Sequence, residues 1–341
     1  MGQMGFFDAD KRLAALTKKG DPLEAIDRLV PWESFRADIE AVVLTPEDEK
    51  KSNAGRKPTD VLVMFRMLVL ASLYNLADEQ VEYQVRDRLS FTRFLKLGFE
   101  DRIPDGTTLW LFREKLAKAG LMDNLFERFG QHLEAKGYIA RGGQMVDATI
   151  IAVPRQRNTR EENEAVKAGK TPETWDKKPA KNRQKDKDAR WTKKHGKSYF
   201  GYKNHVNADA KHKLIRAFDV SDASVHDSQK FDGLLGKANT SAEVYADSAY
   251  RSAATEARGF KSRIHVRASR NHPLSKAREA ANTAKSRVRA RIEHVFGAQE
   301  IAPGGRLVRT IGIVRARAKI GLQNLVYNMR RLASLERMAA A

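Results

Sequence analysis

The first 140 residues are organised by apolar positions that recur at spacings of three and four, with few β-branched runs. This pattern predicts a helical N-terminal domain over residues 1–140. Thr59 is placed to cap the apolar helix DVLVMFRMLVLASLYNL, and Asp105 or Thr107 can begin PDGTTLWLFREKLAKAG, which Gly120 can end. Two short helices joined at a glycine fit a helix-turn-helix and equally a hairpin that only packs. We therefore expect this domain either to bind DNA or to mediate oligomerisation.

The pattern changes at Gly142, where strand-like runs alternate with helical ones. GGQMVDATIIAV predicts a buried strand, KSYFGYKNHVNAD and KLIRAFDVSDAS predict a hairpin, and AEVYAD and SRIHVR predict further strands. VHDSQKFDGLLGK predicts a short helix, and KAREAANTAKSRVRARIEHVFG predicts one long helix that starts after Ser275. The fold class is therefore α/β, a mixed sheet flanked by helices over residues 141–335, followed by a tail at 336–341.

Residues 155–197 interrupt this domain with Pro, Lys, Arg, Asn and Glu and almost no aliphatic residues. Such a composition predicts a long loop or a partly disordered insertion. Trp191, Lys193 and Lys194 lie near its end, and aromatic and basic residues together suit stacking on bases and contact with a nucleic-acid backbone. A solvated loop without that role is the alternative.

The charge of the chain is strongly positive and uneven. The formal net charge is +20; residues 155–200 hold 15 Lys and Arg against 7 Asp and Glu, and residues 251–337 hold 20 against 5. An excess of this size in the C-terminal half indicates a polyanionic partner such as nucleic acid, with a solvated basic surface as the alternative.

Other features of the composition narrow the class of protein. The chain has no cysteine, which excludes disulfides and thiolate metal sites. The longest apolar run, 61–77, is broken by Arg66 and is too short to span a bilayer. The N-terminus has no secretory pattern. We therefore expect a cytoplasmic protein without a membrane partner.

Three acidic residues stand on or beside three different elements: Asp147 within a buried strand, Asp247 at the end of another strand, and Glu293 on the long helix. Phosphodiester transfer uses two divalent cations about 4 Å apart, and hard cations prefer carboxylate ligands. Each residue also has a structural explanation. Asp147 can pair with a buried Arg, Asp247 can cap the next helix, and Glu293 can pair with Arg289 one turn earlier.

Five blocks in order, VDATIIAVP, GKSYFGYKNHVNAD, DASVHDSQKFDGLL, YADSAYRS and RVRARIEHVFG, resemble DDE transposases of bacterial insertion sequences, specifically the insertion sequence five group. The resemblance covers about residues 55–335. It implies a ribonuclease H-like catalytic core after a helical domain, with Asp147, Asp247 and Glu293 as the catalytic and metal-binding triad. It also implies two Mg²⁺ ions, with Mn²⁺ as substitute. We expect a homo-oligomer, in particular a dimer, that binds terminal inverted repeats in double-stranded DNA, cuts them and joins them to target DNA. Its expected location is the bacterial cytoplasm, on the nucleoid when it is bound to DNA.

The sequence departs from the wider family around the glutamate. Arg289 matches the arginine four positions before it, but Ser286 stands in place of a tyrosine and Glu300 in place of a lysine. These departures leave the triad intact and remove the basis for assigning a flipped-base or hairpin step. His226 and Asp227 match a recurrent pair that either begins a helix or takes part in metal binding.

We expect Arg289 to contact phosphate near the scissile bond, or else to form an intrahelical salt bridge. Basic and aromatic residues elsewhere complete the predicted DNA-binding set: Lys203, Arg251, Arg287, Trp191, Lys193, Lys194, Arg315 and Arg317. Two other functions fit the same residues. One is a structure-specific nuclease of the same fold that does not join strands, and the other is a non-catalytic DNA-binding protein derived from a transposase.

Overall fold

The computed structural model describes residues 7–46, 57–194, 196–250, 258–266, 268, 273–300 and 308–340. The chain divides into two compact units, residues 1–138 with 321–341 and residues 139–320. The predicted catalytic domain, 141–335, therefore extends further along the chain than the second unit, because residues 321–335 belong to the first.

Helices form the first unit. They are α1 Asp8–Lys18, α2 Pro22–Leu29, α3 Arg36–Val43, α4 Val61–Tyr74, α5 Asp78–Asp87, α6 Leu89–Phe94, α7 Gly106–Lys118 and α8 Leu121–Ala135, with a 3-10 turn at Trp32–Phe35. The predicted cap of α4 is wrong by one residue: Asp60, not Thr59, accepts from the Leu62 amide at 2.7 Å. Asp105 caps α7 by accepting from the Thr108 amide at 2.7 Å.

Helix α4 is the centre of this unit, with Phe65, Met67 and Leu68 almost fully buried. Arg66, which interrupts its apolar run, lies over the Trp32 ring at 4.2 Å and donates to the Phe94 carbonyl at 2.7 Å. Its charge is therefore satisfied inside the unit. Among the described residues no single helix is long and apolar enough to cross a membrane, and the bent pair α4 and α5 passes by length and composition alone.

A six-stranded sheet forms the second unit in the part that the structure describes. Its strands are β1 Gln144–Ala152, β2 Arg190–Lys194, β3 Lys197–Asp209, β4 Ile215–Asp222, β5 Glu243–Tyr245 and β6 Lys261–Ser262. β3 pairs antiparallel with β1, β2 and β4, while β1, β5 and β6 run parallel. The predicted mixed sheet flanked by helices and the β3–β4 hairpin are confirmed.

The second unit also contains the helices α9 Arg160–Lys167, α10 Glu173–Asp176, α11 Pro179–Arg183, α12 Ser228–Leu234, α13 Lys276–Arg289 and α14 Arg291–Glu300, and the start of α15 Ile313–Ala340. Ser275 caps α13, as predicted, through the Arg278 amide. The predicted single long helix is wrong, because Ala290 separates α13 from α14.

The prediction of a long or partly disordered loop at 155–197 is also wrong. This insertion folds into α9, α10, α11 and β2 around Trp175, which is fully buried. The buried Glu162 carboxylate accepts from the Trp175 indole at 2.7 Å and from the Lys181 ammonium at 2.8 Å. Polar contacts of this kind order a segment that has few aliphatic residues.

Candidate active site

Asp147 lies in the middle of β1, opposite Val206 of β3, and most of its side chain is buried. Burial raises the pKa of its carboxyl, against the hydrogen bond from the Ala148 amide at 2.8 Å and the positive charges of Arg289 and Lys194. An ionised carboxylate in this position is costly unless cations or donors surround it. Arg289 and Lys194, the two cations that lower this pKa, both lie outside β1.

Asp247 lies two residues beyond the end of β5, the strand that runs parallel to β1. The pairing sets Gln144 beside Val244 and Met145 beside Tyr245, so Asp147 and Asp247 stand equally far along the two chains beyond the last pair. Asp247 also accepts from the amide and the hydroxyl of Ser248, the latter at 3.0 Å. The prediction that it caps the following turn and the prediction that it faces the site are therefore compatible.

Tyr250 connects the acidic residues of the site. It ends the 3-10 turn Ser248–Tyr250, its side chain is 1% exposed, and its hydroxyl has no hydrogen-bond partner among the described residues. Burial raises the pKa of Tyr250, and the negative charges of Asp227, Asp147 and Asp247 raise it further. The hydroxyl is therefore within electrostatic range of three carboxylates.

Arg289 and Glu293 come from α13 and α14. An Arg289 amine lies 3.4 Å from the Asp147 carboxylate, so the predicted alternative in which Asp147 pairs with an arginine has a geometric basis. The Arg289 Nε is buried and has no hydrogen-bond partner in the described part of the chain. Glu293 is exposed on α14, between the buried Ile292 and Val295.

The described residues contain no group of three His, Cys, Asp or Glu side chains close enough to hold a metal ion together. The triad of Asp147, Asp247 and Glu293 therefore stays a prediction. The donor set nevertheless suits a hard divalent cation, because it consists of carboxylate oxygens beside a buried hydroxyl, that of Tyr250, which lacks a partner.

Four of the predicted DNA-binding residues lie at the surface of the second unit. Arg287, Lys193 and Lys194 are exposed, and Trp191 is 43% exposed with the Arg155 guanidinium over its ring at 5.9 Å. Lys194 is close enough to Asp147 to lower the pKa of that carboxyl. The end of β2 therefore borders the acidic site.

The other predicted DNA contacts are engaged inside the protein or lie outside the described residues. Lys203 is 12% exposed, donates to the Val225 carbonyl at 2.7 Å and forms an ion pair with Asp227 at 2.8 Å, so it is not a surface cation. Arg317 donates to Asp219 at 2.5 Å, and Arg315 donates to a carbonyl at 3.2 Å. Arg251 lies outside the described residues.

Residues absent from the predicted site set line it as well. The main one is Tyr250, whose hydroxyl is buried without a partner among the described residues. It belongs to the block YADSAYRS, but nothing in that sequence indicates a role for its hydroxyl. His265 also faces the site: burial lowers its pKa, Arg289 lowers it further, and Asp247 acts in the opposite direction. Its ring nitrogen lies 3.1 Å from the Ser286 hydroxyl, at the position where the family pattern has a tyrosine.

The net positive charge of the chain lies entirely in the second unit. Residues 139–320 hold 39 Lys and Arg against 19 Asp and Glu, whereas residues 1–138 and 321–341 together hold 24 of each. The second unit therefore has a formal net charge of +20, and the first is neutral. A polyanion is attracted to the unit that contains the acidic site.

Comparison with known proteins gives the family. The family described as "Transposase DDE domain" matches residues 140–329, and "Transposase domain (DUF772)" matches residues 11–115. A cryo-EM structure of the piggyBac transposase synaptic complex with hairpin DNA is similar over 94% of this chain and 76% of that chain, at 11% identity and a TM-score of 0.47. Since the first match covers more than half of the chain, the protein belongs to the transposase DDE domain family and is a DDE-type transposase.

Proposed function

We propose that this transposase binds the terminal inverted repeats of an insertion sequence and catalyses metal-dependent cleavage of DNA strands and their transfer into target DNA. Asp147, Asp247 and Glu293 are the proposed catalytic residues. The observation that carries the proposal is the burial of Asp147 in mid-strand, beside Arg289 and on the strand that pairs with β5, which Asp247 follows.

The carboxylates would hold Mg²⁺, or Mn²⁺ in its place. When bound, the divalent ions lower the pKa of the attacking hydroxyl and neutralise the leaving oxygen. Asp147 and Asp247 extend from neighbouring parallel strands, which gives them a rigid base. Glu293 comes from α14, whose buried residues Ile292 and Val295 hold the helix in place.

Arg289 has two roles in this proposal. Its amine partly neutralises Asp147, and its buried Nε has a hydrogen available for a phosphate oxygen. A guanidinium suits this position because its donors are fixed in a planar fork that matches phosphate geometry. We therefore propose that Arg289 orients the scissile phosphate over the carboxylates.

The reaction is an in-line displacement in two stages. The oxygen of a water bonds to phosphorus at the end of the element, the bond from phosphorus to the 3′ oxygen breaks, and the freed 3′ oxygen takes up a proton. That 3′-OH then bonds to a phosphorus of target DNA, and the displaced target 3′ oxygen receives the proton. The number of phosphodiester bonds is unchanged in the second stage, so no external energy source is required.

The basic second unit would hold the DNA, with the protein acting as a homo-oligomer, in the simplest case a dimer. Arg287, Lys193 and Lys194 are exposed cations of this unit, Lys194 acts electrostatically on Asp147, and Trp191 offers a ring for stacking on a base. We infer that these residues contact the backbone beside the scissile bond.

The test compares Asp147→Asn, Asp247→Asn and Glu293→Gln with the unaltered protein on a duplex that carries the repeat flanking the reading frame. We expect DNA binding within about threefold of the unaltered protein and cleavage reduced by at least about 10³-fold, as for loss of a group that acts in the transition state. Gel-shift and strand-cleavage assays measure the two.

Normal cleavage by any of these variants would remove that residue from the proposed triad. A second measurement supplies pre-cut ends with a free 3′-OH and target DNA. Joined products support a transposition reaction. Cleavage without joining would instead identify a structure-specific nuclease of the same fold.

A further inference from the structure

Asp227 occupies the position that precedes α12, yet its carboxylate does not cap the helix. The local hydrogen bond at this helix start is made by His226, whose Nδ1 lies 2.7 Å from the Ser228 hydroxyl. The Asp227 carboxylate instead lies 2.8 Å from the Lys203 ammonium of β3. The explanation in which the pair begins a helix, with His226 as a polar contact at its N-terminus, agrees with this hydrogen bond, but it gives no role to the Asp227 carboxylate.

The packing of α12 directs Asp227 towards the active site. Phe231, one turn further along α12, packs against Tyr250 with ring centroids 5.2 Å apart, and both belong to the core cluster that includes Val146 of β1. Asp227 acts electrostatically on Asp147 and on Tyr250. The start of α12 is thus held beside the strand that carries the first catalytic carboxylate.

A second observation indicates that a ligand belongs between these groups. The Tyr250 side chain is 1% exposed, and its hydroxyl has no partner among the described residues although Asp227, Asp147 and Asp247 all act on it electrostatically. A buried hydroxyl without a partner costs about 1 to 3 kcal/mol. A water or phosphate oxygen that enters with a cation could accept from this hydroxyl.

We propose that Asp227 is a fourth acidic residue of the active site, a positioning residue paired with Lys203, whose negative charge strengthens the binding of a divalent cation by Asp147 and Asp247. This inference rests on the proposed function of those two residues. Asp227 acts from outside the coordination shell, because its carboxylate is already paired with the Lys203 ammonium. Outer-shell carboxylates typically change metal affinity by about 10- to 100-fold.

The pair with Lys203 provides a test, because substitutions of Asp227 and of Lys203 change the charge of the site in opposite directions. If the pair with Asp227 served only the fold, removing either partner would weaken cation binding equally or leave it unchanged. If Asp227 supplies negative charge to the site, Asp227→Asn weakens cation binding, whereas Lys203→Met removes a positive charge and does not weaken it. The control is Asp232→Asn on the same helix, because Asp232 is 54% exposed and pairs with Arg258 at 3.2 Å.

Calorimetric titration of the full-length protein with Mn²⁺, in the presence of the repeat duplex, measures the affinity. We expect a Kd at least about tenfold higher for Asp227→Asn, as for loss of an outer-shell partner, and an unchanged Kd for Asp232→Asn. Lys203→Met should bind at least as tightly as the unaltered protein. Circular dichroism on heating establishes that each variant is folded. If Asp227→Asn does not fold, Asp227→Glu replaces it. Asp227→Glu keeps the charge and should retain Mn²⁺ binding within about threefold.

The outcomes separate the two proposals. If Asp147→Asn and Asp247→Asn lose Mn²⁺ binding but Asp227→Asn does not, the role of Asp227 is refuted and the proposed function stands. If Asp227→Asn and Lys203→Met weaken binding equally, the pair is structural and the role of Asp227 is again refuted. If Asp147→Asn and Asp247→Asn bind Mn²⁺ normally, the proposed metal site itself fails.

Discussion

Glu162 is the residue on which the fold of the insertion depends most. One carboxylate oxygen accepts from the Thr174 hydroxyl at 2.9 Å, the Trp175 indole at 2.7 Å and the Lys181 ammonium at 2.8 Å, and the other accepts from the Thr159 amide at 3.0 Å. Glu162→Gln keeps the volume but removes the charge and one acceptor. We therefore expect α9, α10 and α11 to open together.

The magnitude follows from two losses in the glutamine variant, the ion pairing with Lys181 and the acceptor for the Thr159 amide. The ion-paired bond to Lys181 contributes about 1.5 kcal/mol, the low end for a charged partner, because the lysine side chain is 39% exposed. The capping-box bond to the Thr159 amide contributes about 1 kcal/mol. A loss of roughly 2.5 kcal/mol raises the open population of the insertion by about 50- to 100-fold.

Limited digestion with trypsin measures that population, because residues 155–200 hold 15 Lys and Arg and cleavage of a transiently open segment follows its equilibrium. The control is Glu164→Gln on the same helix. Glu164 pairs with Arg160 at the surface, with side chains 63% and 88% exposed, and should change the rate less than about threefold. Equal cleavage rates for the two variants would refute the central role of Glu162.

The same carboxylate predicts a pH dependence. The Lys181 hydrogen bond lowers the pKa of Glu162 from 4.5 to about 2. Because the folded pKa is below the unfolded one, this stabilisation is complete above pH 4.5 and is lost as the pH falls towards 2. Hydrogen exchange across residues 159–185 should distinguish Glu162→Gln from the unaltered protein at pH 6, and the difference should disappear by about pH 2.

Three further predictions concern the sheet and its border. Tyr202→Phe removes the donor to the Asp186 carboxylate, at 2.7 and 2.8 Å, and should cost about 1.5 to 3 kcal/mol in chemical denaturation, with Tyr199→Phe as a half-buried control near zero. Gly201→Ala should fail to accumulate as folded protein, because its φ is +156° and a Cβ would stand 2.1 Å from the Ile151 oxygen; Gly233→Ala, with open space, should fold normally. Lys194→Gln should reduce the slope of log K against log salt for DNA by about 0.9, and an unchanged slope would remove Lys194 from the DNA contacts.

Much of the fold could be predicted from the sequence because its signals are local. The signals are the β-branched, apolar run of β1, the hairpin of β3 and β4, and the caps at Asp105 and Ser275, and each depends on residues within a few positions of one another. The break at Ala290 has no such signal, since no glycine or proline stands there. Packing of α14 through Ile292 and Val295 accompanies it instead.

The order of the insertion and the internal pairing of Lys203 escaped prediction for the same physical reason. A basic composition describes how many charges a segment has and does not describe which of them are paired. Lys203 pairs with Asp227, 24 positions further along the chain, and Lys181 pairs with Glu162, 19 positions before it. Such partners become visible only when the fold brings their elements together.

The candidate site has an acidic centre within a unit whose net charge is strongly positive. The second unit has a net charge of +20 and attracts DNA from a distance, yet Asp147, Asp227 and Asp247 make its centre acidic. Two unit charges at 4 Å repel by about 4 kcal/mol at an effective dielectric constant of 20, so a phosphate cannot approach these carboxylates without compensation. Arg289 supplies part of it, and Lys203 is already paired. DNA affinity should therefore depend on the exposed cations and cleavage on added divalent ions, so that substitutions in the two groups separate binding from chemistry.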